Sequence, residues 1–214
     1  MKNIKGIIFD LDGVLLSTDR FHYLAWKALA DRLGVPFDGK KNNLLRGVSR
    51  MDSLEIVLGE RTDEFSPEEK LAFATEKNNT YRSHLQGLTP DFVDPSVPET
   101  LEKLKAAGLK LAVGSSSKNT PLILEKTDLC RFFDAVSDGN NIIRSKPDPE
   151  VFLKAAQFIG LEPSDCVVIE DADSGIEAAK RGGFCAISIG NAATNGLSDR
   201  HIEALSELID LFVQ

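Results

Sequence analysis

The chain is short of cysteine, of long apolar runs and of positive charge, and each shortage closes off a class of function. Cysteine occurs three times in 214 residues, at Cys130, Cys166 and Cys185. The count is odd and the spacing matches no CxxC-type pattern, which argues against a disulfide framework and a structural zinc site and fits a reducing compartment. No stretch approaches the roughly 20 apolar residues that a membrane helix needs. The run Gly6-Ile7-Ile8-Phe9 after Met1-Lys2-Asn3-Ile4-Lys5 is ended by Asp10, too soon for the core of a secretory signal. The expectation is a soluble, cytoplasmic protein with no membrane partner. Basic residues number 25 against 33 acidic ones, a net charge of −8, and no basic block interrupts that balance. Such a surface repels a polyanion, so nucleic acid is not an expected partner. The acidic surplus itself has two readings, a solubilising surface or carboxylates gathered around a divalent cation, and composition leaves both open.

Internal repeats and low-complexity tracts are missing as well. A hydrophobic fraction of 42% with 27% charged residues excludes disorder and coiled coil for the chain as a whole. The length suits one large domain, or one domain carrying a smaller insert. What recurs is a short apolar run followed by a helical pattern. Ile7-Ile8-Phe9, Leu109 to Val113, Cys166 to Ile169 and Phe184 to Ile189 are such runs, with Ala135-Val136 a weaker one. Continuous apolar strands separated by helices predict an α/β fold, a doubly wound, Rossmann-like parallel sheet covered on both faces. Ser96-Val97-Pro98-Glu99 offers a helix start and Gly108 its end; Pro149 opens a second helix that Gly160 follows; Ser174-Gly175 starts a third, ended by Gly182-Gly183.

One region breaks the alternation. From Ser17 to Thr89 no convincing strand occurs. Phe21, Leu24, Ala25, Ala28, Leu29 and Leu33 form a stripe at helical spacing stopped by Gly34; Ser49 precedes Met51, Leu54 and Leu58; Ser66-Pro67-Glu68-Glu69 is a capping box opening a helix towards His84. The reading is an inserted helical cap, residues 17–89, on an α/β core made of residues 1–16 and 90–214. Two chain crossings between them make a hinge.

Doubly wound sheets bring the carboxyl ends of their strands to one rim, where ligands bind. Asp10-Leu11-Asp12-Gly13-Val14 follows the first strand, with two carboxylates where the chain leaves the sheet and a glycine for a tight turn. A calcium loop is excluded, since its glycine belongs at the sixth position and a Glu at the twelfth, where Phe21 stands. Simple turn chemistry remains the alternative. Ser115-Ser116-Ser117-Lys118-Asn119 follows the strand ending at Val113, Lys146 sits between Ser145 and Pro147, and Glu170-Asp171 follows the strand ending at Ile169. Carboxylates, a serine and a lysine converging on one rim describe a site for a hard cation and a phosphate, and magnesium commonly takes one or two carboxylates plus substrate phosphate.

In this order, Asp10-Leu11-Asp12-Gly13-Val14, Ser115, Lys146 and Glu170-Asp171 resemble the four motifs of the haloacid dehalogenase superfamily of phosphotransferases, over nearly the whole chain. The position of the helical insert fits too. The resemblance implies Asp10 as the nucleophile that forms an aspartyl phosphate and Asp12 as general acid/base. It implies Ser115 and Lys146 as binders of phosphoryl oxygens, and Mg2+ held by Asp10, Asp12, Glu170 and Asp171, with direct ligation by Glu170 left open. A second Asp favours phosphoryl transfer over dehalogenation. His22-Tyr23-Leu24-Ala25-Trp26-Lys27-Ala28-Leu29-Ala30, Arg46-Gly47-Val48-Ser49-Arg50 with Asp52-Ser53-Leu54, Glu76-Lys77-Asn78 and Ser117-Lys118-Asn119 are similar to motifs of sugar-phosphate mutases within the superfamily. That implies a small sugar phosphate as the partner, with Thr18, His22, Trp26, Gly47, Val48, Ser49, Arg50, Ser53, Lys77, Ser116, Ser117, Lys118 and Asn119 as substrate-binding residues, in a monomer. Arg50 is the expected grip on a phosphate remote from Asp10, because a guanidinium holds phosphate bidentately; a solvated arginine at a helix start is the alternative. His22 and Trp26 share a face, either packing between the two parts of the chain or lining the site. Lys77 is a site lysine or an ordinary exposed one. Two departures stand out: Ser17, where an acidic residue is usual, and Ser116, where alanine is common. A phosphatase with water as acceptor shares every core motif and remains the competing reading. A non-catalytic phosphate-binding protein would tolerate loss of Asp10 or Asp12, and both are present.

Overall fold

A computed structural model describes residues 4–190 and 196–213. Met1, Lys2 and Asn3 of the charged start lie outside the described residues. Six parallel strands, β1 (Gly6–Phe9), β2 (Lys110–Gly114), β3 (Ala135–Ser137), β4 (Cys166–Glu170), β5 (Cys185–Ile189) and β6 (Arg200–Ile202), form a sheet of order β3-β2-β1-β4-β5-β6. Burial on both faces explains the unbroken apolar runs. Ile7, Phe9, Leu111, Val113, Val167, Ile169 and Ile187 point into one hydrophobic cluster. Ile8, Ala112, Val168 and Ala186 point into another on the opposite face, the period of two that a pleated strand imposes. Between β1 and β2 run α1 (Asp19–Leu33), α2 (Gly39–Asn43), α3 (Arg50–Leu58) and α4 (Pro67–Leu85), and α5 (Ser96–Ala106) leads into β2. Later come α6 (Thr120–Lys126), α7 (Glu150–Phe158), α8 (Asp173–Arg181) and α9 (Glu207–Phe212). Among the described residues, no helix is long and apolar enough to cross a membrane, and none of the three cysteines is in a disulfide.

Local signals set most helix ends. Ser66 accepts from the Glu69 amide while the Glu69 carboxylate accepts from the Ser66 amide, a full capping box with Pro67 at the first helical position. Gly34 ends α1 in the left-handed region, at φ 65°. Four readings need correction. Ser96 is the first residue of α5 rather than its cap, and its amide is satisfied by Asp94 Oδ1 at 2.8 Å. α8 begins at Asp173, one residue before Ser174. The buried arc of α1 is Ala25, Trp26, Leu29 and Ala30, whereas Leu24 and Ala28 are exposed. The helix serves two clusters at once: Ala25 joins the sheet's, while Trp26, Leu29 and Ala30 join one with Val35, Phe37, Leu54, Val57, Leu58 and Ala74. A stripe scored on alanines and leucines misses the indole that turns the helix. Finally, β6 has no counterpart in the sequence reading, because it is three residues long and buries only Ile202.

The helical insert thus has its own core, but its outgoing helix is rooted in the sheet's cluster through Tyr81, Leu85 and Leu88. Leu54 is fully buried in the insert's core, so Leu54→Ala is expected to cost about 2–5 kcal/mol, the usual range for emptying a buried leucine site. Urea unfolding would measure this. A loss under about 1 kcal/mol would mean that the helices between β1 and β2 are held by their roots in the sheet rather than by their own core.

Candidate active site

Parallel pairing fixes the floor of the site. Phe9 is in register with Val113 and with Ile169, so the next residues, Asp10, Gly114 and Glu170, come together at the carboxyl edge of the sheet. The Asp10 amide donates to Ile169 O at 3.0 Å and the Ser115 amide to Ser137 O at 3.0 Å. Above this rim lies one cavity of about 750 Å3. Every residue expected at the site lines it except Thr18 and Lys146. Those two are buried behind it, each bonded to an aspartate that faces the cavity.

Lys146 Nζ donates to Asp10 Oδ1 and to Glu170 Oε1, both at 2.5 Å, and its side chain is 1% exposed. Burial alone would lower the lysine's pKa, but the two carboxylates outweigh it and hold the ammonium charged well above the usual lysine range. Burial likewise pushes Asp10 up to about 7, with Glu170 and Asp12 adding like-charge repulsion and Lys146 opposing it. Asp171 rises to about 8, first by burial and then by the charges of Glu170 and Asp10, with Arg46 opposing.

Asp12 is held by a different set. The Thr18 amide donates to Oδ1 at 2.6 Å and the Thr18 hydroxyl to Oδ2 at 2.5 Å. Thr18 Oγ1 is also 2.8 Å from the Tyr81 hydroxyl. Since Thr18 spends its proton on the carboxylate, Tyr81 donates to Thr18. Burial raises the Asp12 pKa, and the Thr18 bonds work against the rise. Thr18 is therefore a support for Asp12 and not a residue in contact with the cavity. The tight turn after Asp12 needs Gly13, whose φ is 99° and whose missing Cβ leaves room for the Asp171 carboxylate.

The expected metal set narrows on this geometry. Both Glu170 oxygens are engaged, Oε1 by Lys146 and Oε2 by the Ala172 amide at 2.7 Å. Among the described residues no three His, Cys, Asp or Glu side chains gather as a ligand cluster. With the Asp12 oxygens taken by Thr18 as well, the groups left to take a cation are Asp10, Asp171 and the backbone after Asp10, a sparse all-oxygen set of the kind magnesium takes together with water and substrate phosphate. The Asp171 carboxylate already leans on a cation, with Arg46 Nη1 at 3.6 Å, while Arg46 Nη2 binds Asp19 Oδ2 at 2.5 Å. These residues fit a divalent cation.

The helical insert supplies the opposite end of the cavity. Gly47, with φ 71°, brings its loop onto Ser174 at the start of α8 so closely that a side chain there would strike the serine hydroxyl. Ser49 caps α3, accepting from the Asp52 amide at 3.2 Å and donating to Asp52 Oδ2 at 2.6 Å. Arg50 follows at the first position of α3. Burial and the nearby Arg82 both depress its ionisation, the first more than the second. Lys77 is 3% exposed, so it is not the ordinary surface lysine of the alternative reading. Its Nζ lies over the Trp26 and Tyr81 rings at 4.7 and 4.8 Å and 2.8 Å from His22 Nδ1. Burial, then Lys77 and Arg50, keep the His22 pKa well below its usual value. A neutral imidazole accepting from Lys77 at Nδ1 turns its Nε2–H towards Asp12 Oδ2, 3.7 Å away. Asn119 spans the two parts, donating to Asn78 Oδ1 at 3.0 Å and accepting from Arg82 Nη1 at 3.1 Å. The Ser116 hydroxyl is shielded from solvent and has no hydrogen-bond partner among the described residues. Sequence reasoning missed Arg46, Tyr81 and Arg82 as members of the site. Tyr81 and Lys77 are four apart on one helix, a spacing that could have found it.

A rim of motif-bearing strand ends under a helical insert defines a phosphotransferase-type haloacid dehalogenase fold, and the family comparison agrees. The haloacid dehalogenase-like hydrolase family matches residues 4–183, and the chain belongs to it. Within the family it is 37% identical to a β-phosphoglucomutase of Bacillus subtilis over 96% of this chain and 92% of that one. A solved β-phosphoglucomutase of Clostridium difficile superposes with a TM-score of 0.91 at 35% identity, over 96% and 93% of the two chains. A fructose-1-phosphate phosphatase of Escherichia coli is 32% identical over 86% of this chain and 95% of its own length.

The Lys146 bridge yields a direct expectation. Lys146→Met would leave two buried carboxylates facing each other, and removing one partner of a buried ion pair typically costs about 3–5 kcal/mol. Urea unfolding at neutral pH should show a loss of that order. An unchanged midpoint would mean that Asp10 and Glu170 discharge by protonation at little cost.

Proposed function

We propose that the protein is a phosphoryl-transfer isomerase that interconverts β-D-glucose 1-phosphate and β-D-glucose 6-phosphate. The reading runs through an aspartyl-phosphate enzyme and a β-glucose 1,6-bisphosphate intermediate, with residues 17–89 acting as a cap over a core of residues 1–16 and 90–214. The observation that carries it is one cavity with two anion-suited ends: Asp10, Ser115 and the buried Lys146 at the rim, and Arg50 and Lys77 on the helical insert. A bisphosphate needs both ends, and the β-phosphoglucomutase relatives support the substrate class.

In this reading Asp10 attacks phosphorus and carries the phosphoryl group, Lys146 and Ser115 hold its oxygens, and Arg50 grips the phosphate that stays on the sugar. Asp12 takes the proton from the attacking sugar hydroxyl and returns it in the second half of the cycle. A positioned acid/base of this kind contributes about 10²–10⁴-fold. Its raised pKa makes it a competent proton carrier, and Thr18 fixes its direction. Bound through Asp10, Asp171 and the Asp12 carbonyl, Mg2+ would neutralise the approaching anions and polarise the phosphoryl group. Water must be kept from the aspartyl phosphate, a task for the insert that roofs the cavity. A phosphatase acting on a related sugar phosphate is the second reading, and the fructose-1-phosphate phosphatase relative favours it.

Phosphorus NMR separates the two. With Mg2+ and a trace of glucose 1,6-bisphosphate, β-glucose 1-phosphate should become glucose 6-phosphate while the α anomer stays unchanged. Prompt inorganic phosphate without isomer would sink the mutase reading. Asp10→Asn should abolish turnover with the circular dichroism spectrum unchanged, and retained activity would rule out a covalent Asp10. Arg50→Ala should reduce mutase flux more than it reduces slow hydrolysis of the phosphoenzyme; equal losses would remove Arg50 as the second anchor. Thr18→Val should lower kcat by about 10–100-fold through a misaligned acid/base with KM little changed, and Thr18→Ser should restore most of it.

A further inference from the structure

Two buried lysines of opposite character belong to the site, Lys77 lining the cavity and Lys146 behind it. Lys146 is bracketed by two carboxylates at 2.5 Å. Lys77 makes no ion pair among the described residues, and its nitrogen meets the faces of Trp26 and Tyr81 and the ring nitrogen of His22. The charged groups that act on it are Arg50, which repels its ammonium form, and Asp12, which favours it more weakly. Burial first and Arg50 second bring its pKa down to about 7, with Asp12 opposing. A lysine that lines a cavity, lacks a counter-charge and accepts no enforced protonation is a nucleophile at neutral pH.

We propose that Lys77 is a covalent attachment site for phosphate-bearing aldehydes, whose carbonyl condenses with the Lys77 amine while Arg50 holds the phosphate. The amine lone pair attacks the carbonyl carbon and the carbonyl oxygen takes up a proton, giving a carbinolamine. Nitrogen then expels that oxygen as water, so amine and aldehyde become imine and water with no oxidant or reductant consumed. Arg50 is both the neighbour that repels the Lys77 ammonium and a cavity-lining guanidinium, so anchor and nucleophile share one end of a space of about 750 Å3. The open-chain form of a hexose 6-phosphate, the product of the proposed reaction, belongs to this class. The site would therefore record slow, reversible self-modification by aldehydic sugar phosphates. The anchor clause rests on the reading of Arg50 in the proposed function, whereas the nucleophile clause does not.

The test uses pyridoxal 5′-phosphate, borohydride reduction and peptide mass mapping of the intact protein at pH 7.5. Lys77 should be labelled at least ten-fold faster than Lys118, the exposed lysine of the same cavity. Unphosphorylated pyridoxal should react at least ten-fold more slowly at Lys77, and millimolar inorganic phosphate should slow labelling by the phosphorylated aldehyde. The rate should level off above about pH 7 rather than climb towards pH 10. Lys77→Arg should remove the fast phase, and mapping of the wild-type protein answers the question even if that variant folds poorly. Label spread over surface lysines, or fast labelling of Lys77 that ignores both the aldehyde's phosphate and added phosphate, would overturn the proposal. Labelling needs no turnover, so Asp10→Asn protein should be modified like wild type. Failure of the isomerase reading and failure of this one are thereby read on separate instruments.

Discussion

Everything at the rim depends on Lys146 standing between Asp10 and Glu170. Placing one ammonium and two carboxylates in a region almost sealed from water carries a desolvation cost of several kcal/mol per ion. It is offset only because the bonds are short and the remaining oxygens are used, Oε2 of Glu170 by the Ala172 amide. The bridge joins the ends of β1 and β4 to the loop before α7, three segments far apart in sequence. It aims one oxygen of Asp10 inward and leaves the rest of the carboxylate to the cavity. A lysine so strongly held in its charged form cannot serve as a base.

The same bridge leaves an imbalance. Asp10, Asp12, Glu170 and Asp171 crowd one rim against Lys146, so formally three negative charges remain uncompensated there. An anionic substrate would be repelled by such a floor, and the raised pKa values of Asp10 and Asp171 reflect burial first and then repulsion between the carboxylates themselves. A divalent cation relieves both problems at once, and Arg46 leaning on Asp171 shows which carboxylate has room for one. At the other end the balance reverses: after burial, Arg82 disfavours the charged form of Arg50, and Arg50 that of Lys77. The net charge of −8 is thus an average over a molecule whose cavity is negative at the sheet and positive under the helices.

The sheet was legible in the sequence because parallel strands buried on both faces must be continuously apolar, and the chemistry sat where such strands end. The order and spacing of Asp10, Asp12, Ser115, Lys146, Glu170 and Asp171 needed no tertiary information beyond that rule. What stayed hidden depends on contacts between distant segments. β6 buries one side chain and draws its stability from pairing with β5, so no local pattern announces it. The face of α1 is set by Trp26 meeting Lys77, and a stripe of small apolar residues on that helix gives no hint of it. Arg46 and Arg82 look like surface cations until the loop closed by Gly47 and the amide of Asn119 bring them to the site. The family resemblance implies Thr18 as a substrate-binding residue; its hydrogen bonds turn inward to Asp12 instead.

The two buried lysines show how far residue type alone can carry an argument. Lys146 and Lys77 are equally hidden from solvent, each 3% exposed, and both sit against aromatic rings, Lys146 over Phe152 and Lys77 over Trp26 and Tyr81. Burial acts on both in the same direction, against the ammonium. What separates them is the presence of carboxylates within hydrogen-bonding distance, which is worth more than the ring faces. Cation–π contact contributes roughly 0.5–2 kcal/mol, too little to hold a buried ammonium in place of an ion pair whose loss typically costs about 3–5 kcal/mol. The rim lysine is therefore a fixed charge that shapes the field around Asp10, and the roof lysine is an amine with no carboxylate beside it to hold its proton.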